Sequence, residues 1–545
     1  MVDPVARRKQ TTPLEANNTD QHTIKQEKTM IGAELLMQTA AEHGVEVCFA
    51  NPGTTEMPMV EALDGASKIR PILGLFEGVC TGAADGYGRM AEKPAMALLH
   101  LGPGLANGLC NLHNARRAHS PVLVVVGEHA TWHRPYDPPL AMDIEALAGT
   151  VSGWRRTTSG AQNLGVDVSE ALAATRRGQV ATLIVPFDLQ TKPVVAKPAL
   201  AVSSPAEALD EQAIAKAAAL LKKQGKKAVI ILGGRSLSRE GQMTAARIKA
   251  VCGCDLIAEC FPARMERGVG LPPIDRVPYV PAVAQNRLDC YEAVVLAGAP
   301  APVTFFGYKD TPPSLLSAAQ EVVALGAGPD ALAELARLAE ALGAPSAPPE
   351  ELLTRAGEIP APTGALTRDK VCALVAALQP EGAIVVDEGN TTSMSYPYFS
   401  ALAKPFTLLT LTGGAIGQGG PCATGAAVAC PDRKVIDFQA DGSALYTVQA
   451  LWTQAKEKLD VVTLICSNQS YDILKFEASQ LGTRPLGPTI AKLSDLTGID
   501  WVKLGEGLGV PSVAVATAED LSSELSKALA EKGPRLIEMR LASPF

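Results

Sequence analysis

One stretch, residues 435–471, constrains the fold of this chain more than any other. Residues 435–438 are mostly apolar and lead to Asp441 and a glycine, as a buried strand does before a turn. Apolar residues then recur every three or four positions from 445 to 459, which predicts a one-sided helix, and residues 461–466 form a second apolar run. A strand, a helix and a strand in this order form a right-handed crossover, so the stretch predicts a parallel sheet and an α/β fold.

Two polar residues of this stretch are predicted to lie at the same edge of that sheet. Asp441 follows the first strand and Asn468 follows the second. The carboxyl ends of parallel strands form the edge at which open α/β folds bind ligands. A carboxylate, an amide oxygen and a nearby backbone carbonyl make an oxygen-only site, which suits Mg²⁺ carrying a diphosphate. We therefore predict a magnesium site at Asp441 and Asn468.

The same stretch resembles the signature of the thiamine diphosphate (ThDP) enzymes, a Gly-Asp-Gly followed by an Asn-Asn pair. The interval of 27 residues between Asp441 and Asn468 lies within the range of that family. Ala440 stands in place of the first glycine and Ser467 in place of the first asparagine, and both replacements are small. The resemblance implies that the backbone carbonyl of Ser470 completes the metal site.

Size and composition allow several domains and argue against two classes of partner. The chain has 545 residues, 47% of them hydrophobic, and a net charge of −8, which suits about three to four domains. No stripe rich in Lys and Arg is present, so we expect no nucleic-acid partner. No apolar run reaches the roughly 18 to 20 residues needed to span a bilayer, so we expect no membrane partner.

Cysteine usage and the N-terminal segment allow further expectations. The eleven cysteines are odd in number and scattered, which does not suit a disulfide framework and predicts a cytoplasmic protein with reduced thiols. Cys252, Cys254 and Cys260 lack a fourth ligand and a nearby His, so we expect no zinc there. Residues 1–29 are polar and carry both signs of charge, which predicts a disordered N-terminal extension.

Residues 30–190 alternate between helical and apolar strand patterns, which predicts a first domain with a parallel sheet and helices on both faces. Glu77 follows the strand PILGLF and begins a helix rich in Gly and Ala. A Glu at this position can simply favour the helix dipole. The pattern of Glu77 and residues 83–89 nevertheless resembles the pyrimidine-binding domain of ThDP enzymes. That resemblance implies that Glu77 contacts the aminopyrimidine of the cofactor.

His100 ends a later strand of this domain, in LLHLGPG. A lone His after an apolar run is often a structural residue. The segments NPGTTEMP, LLHLGPG and AHSPVLVVVGE resemble benzoylformate decarboxylase, whose matching positions hold a catalytic Ser and a catalytic His. The resemblance implies that Thr54 and His100 are catalytic. All seven histidines lie in the first quarter of the chain, so the later domains supply no imidazole.

A Pro-rich connector precedes a middle domain, residues 208–342. Its predicted strands, residues 227–232 and 293–297, each run into a Gly turn, which is typical of a Rossmann-like sheet. Some ThDP enzymes carry FAD or ADP in the matching domain. No GxGxxG motif is present, so we expect neither nucleotide here.

A third domain, residues 362–545, contains the opening stretch and is predicted to bind the diphosphate. A strand at residues 383–386 leads to a cluster of hydroxyl and amide side chains, which can cap a helix, and residues 411–417 are rich in Gly. By resemblance, these loops and the turn after Asp441 hold the cofactor, and an apolar side chain at position 416 bends it into a V shape. The implied cofactor-binding residues are Asn390, Thr391, Gly414, Ile416, Gly442, Ser443 and Tyr471.

The resemblance implies a ThDP- and Mg²⁺-dependent lyase or carboligase acting on a 2-oxo acid, similar to benzoylformate decarboxylase. The turn at residues 102–104 is also similar to acetolactate synthase, which leaves a transferase that condenses two 2-oxo acids open, as well as a non-catalytic ThDP-fold binding protein. The His-His pair of pyruvate decarboxylases and the Gln of acetolactate synthases would fall near Met142, and neither is present. The family also implies a homodimer or homotetramer in which Glu77 of one subunit faces Asp441 of its neighbour.

Overall fold

The computed structural model describes residues 29–542 except 67, 196, 201–207, 327–329 and 481–486. Nearly all of the predicted N-terminal extension, residues 1–28, lies outside this part of the chain. The described strands form three mainly parallel sheets of six, five and seven strands, together with a two-stranded ribbon. This architecture confirms the predicted α/β fold class with several parallel sheets.

The first sheet lies within a segment in which strands and helices alternate. The elements are β1 (Met30–Ile31), α1 (Gly32–Glu42), β2 (Val47–Asn51), α2 (Met57–Gly65), β3 (Arg70–Leu73), α3 (Glu77–Ala91), β4 (Ala95–His100), α4 (Leu101–Arg117), β5 (Val122–Glu128), α5 (Ile144–Gly149), β6 (Trp154–Thr157), α6 (Leu164–Thr175), β7 (Val180–Pro186), α7 (Phe187–Thr191) and β8 (Pro193–Val194). The sheet has the order β3-β2-β4-β5-β7-β6, and all neighbours are parallel. Ala97 packs with α3 and α4, and Leu98 packs on the opposite face with α1 and α6.

The second sheet is smaller and also parallel. Its segment contains α8 (Glu211–Gln224), β9 (Ala228–Leu232), α9 (Arg239–Cys252), β10 (Asp255–Ala258), β11 (Met265–Arg267), β12 (Asp275–Arg276), α10 (Pro281–Leu288), β13 (Ala293–Ala297), β14 (Glu321–Ala324) and α11 (Asp330–Ala341). The strand order is β12-β10-β9-β13-β14. One strand of this segment, β11, leaves the sheet and pairs antiparallel with the third sheet, which the sequence patterns did not predict.

The third sheet carries the opening stretch of the sequence. Its elements are α12 (Arg368–Leu378), β15 (Ile384–Glu388), α13 (Tyr396–Ser400), β16 (Phe406–Thr410), α14 (Gly419–Ala429), β17 (Val435–Ala440), α15 (Asp441–Ala444), α16 (Ala450–Glu457), β18 (Val461–Ser467), α17 (Asp472–Gln480), α18 (Pro488–Ser494), α19 (Trp501–Gly507), β19 (Ser512–Val515), α20 (Ala518–Ala530) and β20 (Arg535–Arg540). The strand order is β11-β16-β15-β17-β18-β20-β19. All neighbours except β11 and β16 are parallel.

The helix predicted for residues 445–459 is shorter than expected. It begins at Ala450, and the chain before it forms α15 and a 3₁₀ turn, Leu445–Thr447. This preceding segment lies against Gly417, because the hydroxyl of Thr447 donates to the Gly417 carbonyl at 2.8 Å. The tertiary contact therefore outweighs the local periodicity.

A buried ion pair joins the first sheet's helices to the third sheet. Arg89 donates to both carboxylate oxygens of Asp85, at 2.8 and 2.6 Å. The same guanidinium donates to the carbonyl of Thr410 at 2.8 Å, and Gln418 donates to Asp85 at 3.1 Å. These contacts fix α3 next to the loop that precedes α14.

None of the described helices is both long enough and apolar enough to cross a lipid bilayer. All eleven cysteines are free thiols.

Candidate functional site

Three neighbouring strands end at one cleft. β15, β17 and β18 are adjacent and parallel, with Glu388 paired with Gln439 and Ala440 paired with Cys466. The residues that follow these strands therefore meet at the carboxyl edge of the sheet. A small cleft lies at this edge. Its lining includes Asn390, Thr391, Asp441, Gly442, Ser443, Asn468, Ser470 and Tyr471.

Asp441 presents a buried carboxylate at this cleft. The residue is 3% exposed, and its two oxygens accept backbone N–H groups of Gly442 and Gln469, each at 2.8 Å. No Lys or Arg of the described residues forms an ion pair with it. Burial raises the pKa of Asp441 to about 6, and the nearby charge of Asp472 acts in the same direction. A bound cation would offset this cost of burying the charge.

Asn468 and Ser470 complete an oxygen-rich corner next to Asp441. The amide oxygen of Asn468 accepts the Ser470 N–H at 3.1 Å, and its amide nitrogen donates to Asp472 at 2.8 Å. The Ser470 hydroxyl is buried and has no hydrogen-bond partner within the described chain. A carboxylate, an amide oxygen and serine oxygens are hard donors, so this corner fits Mg²⁺.

The predicted diphosphate loops surround the same corner. Asn390 adopts a left-handed conformation with φ of 48°, and its amide donates to the Ser443 hydroxyl at 3.0 Å. The Tyr471 hydroxyl donates to the Gly442 carbonyl at 3.2 Å. Any Cβ at Gly442 would lie 2.2 Å from the Tyr471 ring, so only glycine fits this approach. Small polar residues around a cleft next to a cation site fit a diphosphate group.

The loop that contains Gly414 and Ile416 is held by the first sheet's helix α4. The side-chain amide of Asn114 donates to the Ala415 carbonyl at 2.8 Å and accepts the Ala415 N–H at 3.3 Å. Asn111, on the same helix, donates to the Gly417 carbonyl at 3.3 Å. The backbone next to the half-buried Ile416 is therefore fixed on both sides.

Glu388 holds the same loop from the side of the third sheet, and sequence reasoning missed it. Its side chain is 2% exposed. Its carboxylate accepts the N–H groups of Gly417 at 2.7 Å and Gly419 at 2.6 Å, and the amide of Gln439 at 2.8 Å. Burial raises the pKa of Glu388 to about 7. The one available signal was an acidic residue at the end of an apolar strand.

Glu77 is the first residue of α3, as the sequence predicted. The side chain is half-buried, and its Oε2 accepts the amide of Asn107 at 3.1 Å. Asn111, one helical turn further along α4, donates to the Gly78 carbonyl at 2.8 Å. Asn111 of α4 therefore contacts both the start of α3 and the loop at Gly417. Glu77 does not line the cleft of Asp441 within the described single chain.

His100 has a carboxylate partner that sequence reasoning also missed. Its Nδ1 lies 2.7 Å from Oε2 of Glu56, whose side chain is fully buried. The Thr55 hydroxyl lies 3.2 Å from the same nitrogen. Thr54, the predicted catalytic residue, is exposed, so within the described chain it is the next hydroxyl, on Thr55, that contacts His100. Thr54 stays a prediction.

Two segments of the chain match models of known protein families. Residues 30–147 match the model "Thiamine pyrophosphate enzyme, N-terminal TPP binding domain", and residues 387–539 match the corresponding C-terminal TPP binding domain. Thiamine pyrophosphate is another name for ThDP. These two matched segments contain Glu77 and Asp441, respectively.

Several relatives match along nearly the whole chain. A Mycobacterium tuberculosis protein named "Putative acetolactate synthase large subunit IlvX" is 46% identical, over 94% of this chain and 99% of that protein. Benzoylformate decarboxylase of Pseudomonas aeruginosa is 30% identical, over 91% of this chain and 96% of that enzyme. The solved structure of a Rhodococcus jostii ThDP-dependent 4-hydroxybenzoylformate decarboxylase is 25% identical with a TM-score of 0.82, and the match covers 94% of this chain and 99% of that one.

Proposed function

The chain belongs to the ThDP enzymes, in the group of acetolactate synthases and benzoylformate decarboxylases, and from this premise we propose that it is a Mg²⁺-dependent decarboxylase or carboligase of a 2-oxo acid. The observation that carries the proposal is the cleft at the carboxyl edge of the third sheet. There a buried carboxylate, Asp441, lies beside oxygen donors with no cationic side chain bonded to it among the described residues.

The residues of the cleft divide the work of holding the cofactor. Asp441, Asn468 and the backbone carbonyl of Ser470 would bind Mg²⁺. When bound, ThDP supplies the carbanion chemistry by which a 2-oxo acid loses carbon dioxide. The residues that would hold its diphosphate and rings are Asn390, Thr391, Gly414, Ile416, Gly442, Ser443 and Tyr471.

Two side chains of the first sheet would handle protons. Glu77 would exchange a proton with the aminopyrimidine through its carboxylate. The Nδ1 of His100 faces the Glu56 carboxylate at 2.7 Å, so Nδ1 carries a proton and Nε2 is left to exchange one with the substrate. Thr54 would place its hydroxyl near the same substrate. In the proposed decarboxylation, His100 would therefore be the residue that donates a proton to the substrate or accepts one from it.

An acetolactate synthase type of transferase is the second candidate. The observation that favours it is the relative at 46% identity, whose name refers to acetolactate synthase. The two candidates differ in the product made from pyruvate. A decarboxylase converts a 2-oxo acid into an aldehyde and carbon dioxide, and a synthase converts two 2-oxo acids into an acetohydroxy acid and carbon dioxide.

Product analysis separates the candidates. The enzyme with ThDP and Mg²⁺ is incubated with benzoylformate or pyruvate, and aldehyde and acetolactate are separated. The proposal expects aldehyde as the main product, and acetolactate as the main product would select the transferase instead. Binding of ThDP without turnover of any 2-oxo acid would favour a non-catalytic binding protein.

We also propose that the active unit is a homodimer or homotetramer in which Glu77 of one subunit faces Asp441 of the next. Large apolar side chains next to Glu77 support a partner at this surface, because Leu73 and Leu75 are 46% and 45% exposed. Tyr446, near the loop at Gly417, is 56% exposed as well.

A further inference from the structure

Five aromatic rings of the middle segment form a connected group beside the loop at Gly414. Phe305 lies centrally, with ring centroids 5.6 Å from Phe261, 5.5 Å from Tyr279 and 4.9 Å from Phe306. Tyr308 lies 6.4 Å from Phe306 and continues the group. Phe305 and Phe306 are 40% and 51% exposed. These rings present accessible faces and do not form a closed core.

One carboxylate of the third sheet's segment faces these rings. The Tyr279 hydroxyl donates to Glu477 at 2.9 Å, and the Tyr308 hydroxyl donates to it at 3.1 Å. We name these six residues the aromatic-carboxylate cluster: Phe261, Tyr279, Phe305, Phe306, Tyr308 and Glu477. No Lys or Arg of the described chain forms an ion pair with Glu477; the adjacent Lys475 pairs with Asp472.

The cluster adjoins the candidate cofactor site on two sides. Phe305 packs against Gly414, where φ is +73° and a Cβ would lie 2.5 Å from the Phe305 ring. Glu477 lies on α17, four residues after Ile473, which lines the cleft of Asp441. Residues four apart on a helix share a face. The cluster therefore lies next to both the Gly414 loop and the helix that borders the cleft of Asp441.

The side chains of the cluster indicate which chemical group would bind there. An ionised carboxylate only accepts hydrogen bonds, and two tyrosine hydroxyls use part of the capacity of Glu477. Its remaining lone pairs can accept hydrogen bonds from a further donor. No Lys or Arg of the described residues pairs with this half-buried carboxylate, and such a group favours a positive donor over a neutral one. Aromatic faces also attract cations.

We propose that the aromatic-carboxylate cluster binds the distal end of the substrate and that this end is positively charged. The enzyme would then act on 2-oxo acids with a terminal ammonium or guanidinium group. This inference rests on the proposed function, because the reacting carbonyl must lie at the cofactor while the charged group contacts Glu477. Tyr279 and Tyr308 would act as positioning residues that hold the carboxylate.

Two substrates of equal size test the charge directly. The holoenzyme is assayed with 2-oxo-5-guanidinopentanoate and with its neutral counterpart, 2-oxo-5-ureidopentanoate. The inference expects kcat/KM to favour the guanidinium substrate by at least about tenfold, the usual scale of a charge-assisted hydrogen bond. A ratio near one in the unmodified enzyme overturns the inference without any substitution.

A matched pair of variants assigns the preference to Glu477. Glu477→Gln should bring the ratio close to one, and the exposed Glu506→Gln on α19 should leave the ratio as it is. Calorimetry with ThDP and Mg²⁺ verifies that both variants are folded and bind the cofactor. A Glu477→Gln enzyme that keeps the full preference overturns the assignment.

Failure of the proposed function gives a different pattern. If no 2-oxo acid is turned over, calorimetric binding of the same two acids to the holoenzyme still tests the cluster. Tighter binding of the guanidinium acid would then support the cluster as a binding site. In that case the absence of turnover would contradict only the proposed reaction. Equal binding of the two acids overturns the inference.

Discussion

His100 Nδ1 lies 2.7 Å from Glu56 Oε2, and the Glu56 side chain is completely buried while His100 is about a quarter exposed. Glu56 also accepts the backbone N–H of Gly53 at 2.8 Å and the Thr55 hydroxyl at 2.6 Å. The carboxylate is thus fixed by its neighbours, and it fixes the tautomer and the orientation of the imidazole.

Glu56→Gln is therefore expected to impair turnover through His100. The Gln amide would present a donor where a carboxylate accepted, so the imidazole would lose its orienting partner. In a double-mutant cycle with His100→Phe, the two effects on kcat/KM should be non-additive by about 1 kcal/mol or more, as for residues in one network. Strictly additive losses would show that the pair does not act as a unit.

Glu77→Gln should keep the fold and lose most of the activity. The substitution preserves size and the contact with Asn107 but removes a carboxylate that can share a proton. We expect kcat to fall by about 10² to 10⁴, the range for a general acid or base, while circular dichroism is unchanged. The exposed Glu61→Gln on α2 serves as the control. An unchanged rate in Glu77→Gln would contradict the proposed proton exchange between Glu77 and the aminopyrimidine.

Glu388 should make stability depend on pH in a defined window. Burial raises its pKa from 4.5 to about 7, so between these values the folded state binds more protons than the unfolded state. The free energy of unfolding therefore falls as the pH rises from about 4.5 to 7, by about 3 kcal/mol from this group alone. The contribution is fully present below pH 4.5.

Urea unfolding of the cofactor-free protein at pH 5 and pH 7.5 measures this effect. Glu388→Gln cannot titrate, so its midpoint should change less between the two conditions than that of the unmodified protein. Glu381→Gln, an exposed residue before the same strand, should behave like the unmodified protein. Equal pH dependence in Glu388→Gln would contradict the assignment.

Dilution tests the proposed subunit interface. If Glu77 and Asp441 meet across two subunits, specific activity should fall when the oligomer dissociates, and light scattering should report dimers or tetramers at working concentration. Full activity from a species with the mass of one chain would exclude a shared site.

Local patterns predicted several of the elements and the carboxyl edge of the third sheet. β13 has the predicted bounds and β4 ends at His100 as predicted, because buried parallel strands are continuous apolar runs. Asp441 and Asn468 directly follow such runs, so their common edge was predictable. The structure also gives α3 its predicted start at Glu77.

The parts that could not be predicted depend on contacts between distant segments. Glu56 lies 44 residues from His100 in sequence, and Glu388 bonds to a loop 29 and 31 residues away. Glu477 meets Tyr279 at a separation of 198 residues. Local hydrophobic periodicity does not predict such contacts, because they form only when distant segments pack together.

Calorimetric titration of ThDP in the presence of Mg²⁺ tests the central claim most directly. The unmodified protein should bind one ThDP per chain, and chelation of Mg²⁺ should abolish binding. Asp441→Asn should weaken binding by at least about 100-fold, since metal sites lose 10- to 100-fold even when only a supporting residue is changed, whereas the exposed Asp432→Asn before the same strand should not. Equal ThDP affinity in Asp441→Asn and the unmodified protein would contradict the assignment of this cleft.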